Sequence, residues 1–225
     1  IDSGHPGFEG RDTGRIVEVA QLAGVSQLDY MLITHYHRDH VGAVPELAER
    51  IPIVTFVDHG PNQEETADAA QLYENYLKVR ANARHLLVTP GNQVPLPGTA
   101  VTIVSAAREV LSSPLEGAGE ENSLCQLTEW KMDDPTENSS SVGFLLEFGR
   151  FRFIDLGDLT WNKELDLACP RNLVGTVDVY LTTHHGLPTS GPPALVHALR
   201  PRVAIMNNGA AKGGHPEAWR VIRDS

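Results

Sequence analysis

The chain has 225 residues, 18 of them basic and 29 acidic, for a formal charge of −11 at pH 7, with 41% hydrophobic residues. A protein that tracks nucleic acid by neutralising phosphates carries a basic face, so long nucleic acid fits this balance poorly, while a small-molecule or small anionic substrate is admitted. The composition suits one folded domain over residues 1–225, and no apolar run reaches the roughly 18 residues that a transmembrane helix needs.

In chain order, Ile1-Asp2-Ser3-Gly4 reads as the end of a strand. Apolar residues at Ile16, Val19, Ala20 and Ala23 predict a helix over Arg15–Ala23, with Gly24 as its stop. A strand is expected over Leu28–Ile33, followed at once by Thr34-His35-Tyr36-His37-Arg38-Asp39-His40-Val41-Gly42-Ala43. Next come a short helix, Val44–Arg50, and a strand, Ile53–Val57, that runs into Asp58-His59-Gly60-Pro61. Glu64–Arg80 is the longest predicted helix. Leu86–Val88 and Ala100–Val104 read as strands on either side of the turn-rich Pro90–Gly98. Val142–Phe148 and Phe151–Ile154 predict a hairpin across Gly149-Arg150, ending in Asp155-Leu156-Gly157-Asp158. A strand over Val177–Thr182 precedes Thr183-His184-His185-Gly186, and a helix over Pro193–Leu199, a strand over Val203–Met206 and a helix from Pro216 complete the chain. This mixed order predicts an α+β protein, two sheets packed face to face and covered by helices.

His35, His37, Asp39 and His40 fall within six positions at the end of a buried strand. Three imidazoles and a carboxylate crowded together carry a desolvation cost that divalent transition metals, which take these nitrogen and oxygen donors, offset. If the backbone stays extended, His35 and His37 point the same way and Asp39 and His40 lie on the turn beyond, so the four divide into two pairs. Two pairs suggest two metal ions. A histidine-rich solvated loop would not require this spacing, and one closed structural zinc site would normally use thiolates, whereas the chain has only Cys125 and Cys169.

The pattern His-x-His-x-Asp-His followed by Gly resembles the second signature of the metallo-β-lactamase superfamily of dinuclear metal hydrolases. Asp2-Ser3-Gly4 is similar to its first signature, Phe153–Asp158 to the strand that ends in a metal-bridging Asp, and Val179–Gly186 to the last strand, which ends in a metal-binding His. The resemblance runs from residue 2 to about residue 220 and implies a four-layered αββα sandwich, here lacking the N-terminal strand or strands that normally precede the first signature. It implies that Asp158 bridges two divalent ions, that Asp39 binds one ion and holds the attacking water, and that either His184 or His185 is a ligand, with His185 the favoured one. His184 would protonate the leaving group or hold an anionic oxygen. Asp2 reads as a carboxylate that orients a ligand by hydrogen bonding. A water bridging two cations is hydroxide near neutral pH, which is the nucleophile such a centre supplies.

One expected ligand is absent. The superfamily's third signature is a His just before the strand that precedes the bridging Asp, and alignment on Ser141-Val142 puts Glu137 there, or Asn138 with a slip of one. No histidine lies between His85 and His184. The first ion would then have His35, His37, Asp158 and an oxygen ligand or water, a harder donor set that admits manganese or iron beside zinc. Together with His-His-Gly and the Gly214-His215-Pro216 segment, this departure is similar to the nuclease-like domain of competence proteins and to phosphorylcholine esterases. Those branches imply phosphodiester or phosphocholine-type ester hydrolysis, although Leu187 stands where a phosphate-contacting Ser is usual. Lactone, β-lactam or thioester hydrolysis and a metal-dependent binding module without turnover remain as alternatives.

Residues 108–140 have little periodicity and predict a substrate-side loop or a disordered one. His59 and His215 are expected to contact substrate, with packing and exposed positions as their plainer readings; His5, His85 and His197 are taken as structural or exposed. Cys125 and Cys169 either pair or stay thiols, and a pair would favour a secreted or periplasmic protein.

Overall fold

A parallel three-stranded sheet and a mixed seven-stranded sheet, each with its own helices, make up the computed structural model, which describes residues 1–225. The fold is α+β. The two sheets belong to two compact units, Ile1–Val88 and Thr89–Ser225.

In the first unit the order is α1 (Arg11–Leu22), β1 (Met31–Leu32), α2 (Arg38–Val41), α3 (Val44–Arg50), β2 (Thr55–Asp58), α4 (Ala67–Arg80) and β3 (Arg84–Leu87). The strands lie in the order β1-β2-β3, all parallel, with Met31 opposite Phe56 and Thr55 opposite Arg84. Met31, Ile33, Tyr36, Leu47, Phe56 and Tyr76 form the core beneath them. Each fully buried side chain of this size contributes about 1.5–3 kcal/mol. α4 begins where Thr66 Oγ1 accepts from Ala69 N at 3.2 Å, three residues after the predicted start. α1 begins one turn before its prediction because its first turn, Arg11-Asp12-Thr13-Gly14, carries no large apolar residue to reveal it. The strand expected over Leu28–Ile33 pairs regularly only at Met31–Leu32, and Leu28 makes a separate bridge to Ile53.

The second unit has β4 (Gln93–Val94), β5 (Ala100–Ala106), β6 (Glu109–Val110), β7 (Gly143–Phe148), β8 (Phe151–Asp155), α5 (Trp161–Ala168), β9 (Val179–Leu181), α6 (Pro193–Leu199), β10 (Val203–Ile205) and α7 (Pro216–Arg223). Its sheet runs β10-β9-β8-β7-β5-β4, with β6 on β5. β8, β9 and β10 are parallel, so their carboxyl ends share one edge, and β7, antiparallel to β8, starts at that same edge. Leu145, Ile154, Tyr180, Leu195 and Leu199 lie in its core. α5 is not foreseen by the sequence reading.

Residues 108–140 hold β6 and two 3-10 turns, Ser123–Gln126 and Glu137–Ser140. The segment is tied down at several points: Asn122 Nδ2 donates to Ala168 O and Ala194 O, Trp161 Nε1 donates to Glu129 O, and Cys125 is disulfide-bonded to Cys169. The bond joins residues 44 apart, and reducing it is expected to lower the free energy of unfolding by about 3–4 kcal/mol on the chain-entropy argument. Denaturant titrations with and without reductant check this; a difference under about 1 kcal/mol would mean that the noncovalent ties suffice. No helix is long and apolar enough to cross a membrane.

Candidate metal centre

The first unit carries one donor set. His35 lies just beyond β1, His37 caps α2, and Asp39 and His40 lie in α2's single turn, so one tight reversal of the chain gathers all four. The His35 ring centroid is 4.0 Å from that of His40 and 4.7 Å from that of His37, and His40 Nε2 is 3.7 Å from Asp39 Oδ2. His35 and His40 are buried, while His37 and Asp39 are partly exposed.

Neighbouring side chains select the ring nitrogens. His40 Nδ1 donates to Asp2 Oδ2 at 2.7 Å, which leaves Nε2 with the lone pair that a metal requires. Asp2 is itself fixed by Thr34, whose N and Oγ1 donate to its two oxygens at 2.8 Å. His35 Nδ1 is 3.0 Å from Thr34 Oγ1. His37 is arranged the other way round, with Nε2 2.9 Å from Glu64 Oε2. Neither Thr34 nor Glu64 is singled out by the sequence reading. His59 is buried and packs its ring on Tyr36, centroids 4.7 Å apart.

The second unit carries another set, at the shared edge of β7, β8 and β9. Asp158, three residues past β8, is buried; its Oδ2 lies 3.4 Å from His184 Nε2 and its Oδ1 lies 3.4 Å from His185 Nε2. Two imidazoles thus address opposite oxygens of one carboxylate. Lys212 Nζ is 3.9 Å from Asp158 Oδ2. His185 Nδ1 donates to Asn207 O at 3.0 Å, and His184 Nδ1 is 3.1 Å from Thr189 Oγ1, so Nε2 is the outward nitrogen of both.

His184, His185 and Gly186 have φ of 51°, 56° and 74° in succession. For the two histidines this costs on the order of 1–3 kcal/mol each, and the surrounding bonds must hold it. His184 N donates to Gly157 O at 3.0 Å, and Thr183 N donates to the Tyr180 hydroxyl at 3.0 Å. Gly214 N donates to His185 O at 2.9 Å, and the strap passes so close that a Cβ on Gly213 would lie 2.1 Å from that oxygen. His215 caps α7, its Nδ1 accepting from Glu217 N at 3.3 Å.

Behind the histidine turn, Glu164 of α5 is fully buried and accepts from Gly191 N at 2.6 Å. Burial pushes its carboxyl up to about 8. Glu137 and Asn138 are buried in the 3-10 turn before β7, at the sheet edge where Asp158 follows β8. Imidazoles and carboxylates with their nitrogens set by hydrogen bonds suit divalent transition ions in both sets, so the residues present fit the group that the sequence resemblance implies.

The family model described as the metallo-beta-lactamase superfamily matches residues 1–120. A hydroxyacylglutathione hydrolase from Aliivibrio fischeri (strain MJ11) is 54% identical over 37 residues, 16% of this chain and 14% of that protein. Another, from Stenotrophomonas maltophilia (strain R551-3), is 34% identical over 84 residues, 36% of this chain and 32% of that protein. The matches therefore span a minor part of these relatives' length. Among solved structures, CmlA, a diiron beta-hydroxylase from Streptomyces venezuelae, aligns with a TM-score of 0.50 and 16% identity over 88% of this chain and 40% of that one, a likeness of fold.

Proposed function

Because this chain belongs to the metallo-beta-lactamase superfamily, we propose that it is a single-domain dinuclear metal-dependent hydrolase whose substrate is a phosphodiester or a phosphocholine-type ester. What supports the reading most is Asp158, a buried carboxylate whose Oδ1 lies 3.4 Å from Nε2 of the proposed ligand His185 and whose Oδ2 faces His184 Nε2 at the same distance. His35, His37 and Asp158, with an oxygen from Glu137 or Asn138, are assigned to one ion, and Asp39, His40, His185 and Asp158 to the other. Zinc suits these donors, and the oxygen-rich first set admits manganese or iron. When bound, such ions polarise the scissile group and make hydroxide available at neutral pH.

The chain's own residues do the rest. Asp2 keeps His40 in the tautomer that offers Nε2, Asn207 O does the same for His185, and Asp39 holds the attacking water by a hydrogen bond. His184 donates a proton to the leaving oxygen or holds an anionic one. His59 and His215 are assigned to substrate contact. The Cys125–Cys169 bond favours an exported protein.

A second reading, thioester hydrolysis, is favoured by the names of the matched hydroxyacylglutathione hydrolases. The two part in a side-by-side assay on bis-p-nitrophenyl phosphate, a glutathione thioester, a lactone and a cephalosporin. Turnover of the phosphodiester supports the first reading. Turnover of the thioester, lactone or cephalosporin alone removes it, and metal uptake without any turnover would leave a binding module.

A further inference from the structure

Tyr36 stands between two proposed ligands in sequence, and its side chain does something that neither neighbour does. Its hydroxyl donates to Gly60 O at 2.6 Å, and the Tyr73 hydroxyl donates to the same oxygen at 3.2 Å. Gly60 N in turn donates to Asp58 Oδ1 at 2.8 Å. Asp58 is a buried carboxylate that also accepts from Tyr76 at 2.6 Å, Arg80 at 2.7 Å and His85 at 2.9 Å. Burial works against its charge, but these bonds outweigh burial and hold the carboxyl below its usual range. The near end of the 59–66 loop is therefore fixed to the core.

At the far end of the loop Thr66 caps α4, and its hydroxyl also donates to Glu64 Oε1 at 3.1 Å. Asn62 closes the middle, its Oδ1 accepting from Glu64 N at 3.1 Å and its Nδ2 donating to Glu64 O at 2.8 Å. The whole arrangement holds one carboxylate oxygen, Glu64 Oε2, 2.9 Å from His37 Nε2. A carboxylate here accepts, so Nε2 carries the proton and the lone pair sits on Nδ1.

We propose that Glu64 is a positioning residue that locks His37 as an Nδ1 metal donor, the reverse of the Nε2 presentation set for His40 and His185 by Asp2 and Asn207. This rests on His37 being a ligand, as proposed above. It explains why an acidic residue 27 positions from His37 is held by Thr66 and Asn62 rather than left to solvent.

The test uses the full chain, stripped of metal and titrated with zinc against a chromophoric chelator, for the wild type, Glu64→Ala and Glu64→Gln. Long-range proton–nitrogen spectra of the metal-free proteins give the His37 tautomer independently of turnover. The wild type is expected to show the Nε2–H tautomer. Glu64→Ala should lose it and bind zinc about 10–100-fold more weakly, with the same stoichiometry at saturation. Glu64→Gln, whose amide oxygen can accept the same proton, should recover most of both. An Nδ1–H tautomer in the wild type, or wild-type zinc affinity in Glu64→Ala, overturns the proposal alone. Loss of one equivalent at saturation would make Glu64 a ligand and also overturns it. A wild type that takes up no zinc removes the hydrolase reading, and the role of Glu64 with it.

Discussion

Replacing Asp158 by alanine is expected to lower kcat/KM by at least about 10³-fold, because this one side chain is assigned to both ions and the hydroxide they supply is lost with them. The isosteric Asp158→Asn should lose nearly as much, since a neutral amide is a poor ligand where a carboxylate must serve two cations. A purely structural role predicts a different pattern. Asp158 is buried, and removing one member of a buried charged group usually destabilises by about 3–5 kcal/mol. If that were its whole contribution, the lost activity would follow the unfolded fraction and return on cooling. The account predicts instead that folded Asp158→Ala, judged by its circular dichroism and unfolding midpoint, is inactive and has lost metal. Either variant retaining more than about a tenth of wild-type turnover would sink the assignment.

Glu164→Gln is expected to stabilise the protein at alkaline pH and to leave it nearly unchanged at pH 4. The carboxyl is fully buried and titrates near 8 in the folded chain against a usual 4.5. Between those values the native state keeps the proton and the unfolded chain gives it up, so the native state binds more protons and stability falls as pH rises. The contribution is therefore complete below about pH 4.5 and lost through about pH 8, up to roughly 5 kcal/mol as an upper bound. Glutamine keeps the oxygen that accepts from Gly191 N but has nothing to ionise. Denaturant titrations from pH 4 to 9 should show a wild-type decline that Glu164→Gln lacks. Parallel pH profiles for the two proteins would contradict the assignment.

How legible all this is from the sequence depends on how local each feature is. His35, His37, Asp39 and His40 are close neighbours, and their spacing on a strand-to-turn junction is itself the signal. Pro193–Leu199 and Val44–Arg50 come out with their predicted bounds because an apolar stripe defines them from end to end. α5 escapes because Asn162 and Glu164 face the interior beside Leu165 and Ala168, so the buried face of the helix reads as polar. Glu164 is hidden for the same reason: in sequence it is one of many acidic residues, and only the packing of α5 under residues 183–191 makes it unusual. Glu64 reads as an acidic helix start, and its partner lies 27 residues away. Which nitrogen each histidine offers is set by Asp2, Thr34, Glu64, Asn207 and Thr189, all placed by tertiary structure. Sequence spacing carries no such information.

The most direct measurement is elemental analysis of the purified chain, with bis-p-nitrophenyl phosphate turnover before and after chelation. About two metal equivalents per chain, with turnover that a chelator removes and zinc or manganese restores, is the predicted result. No bound metal, and no turnover after either ion is added, would contradict the account.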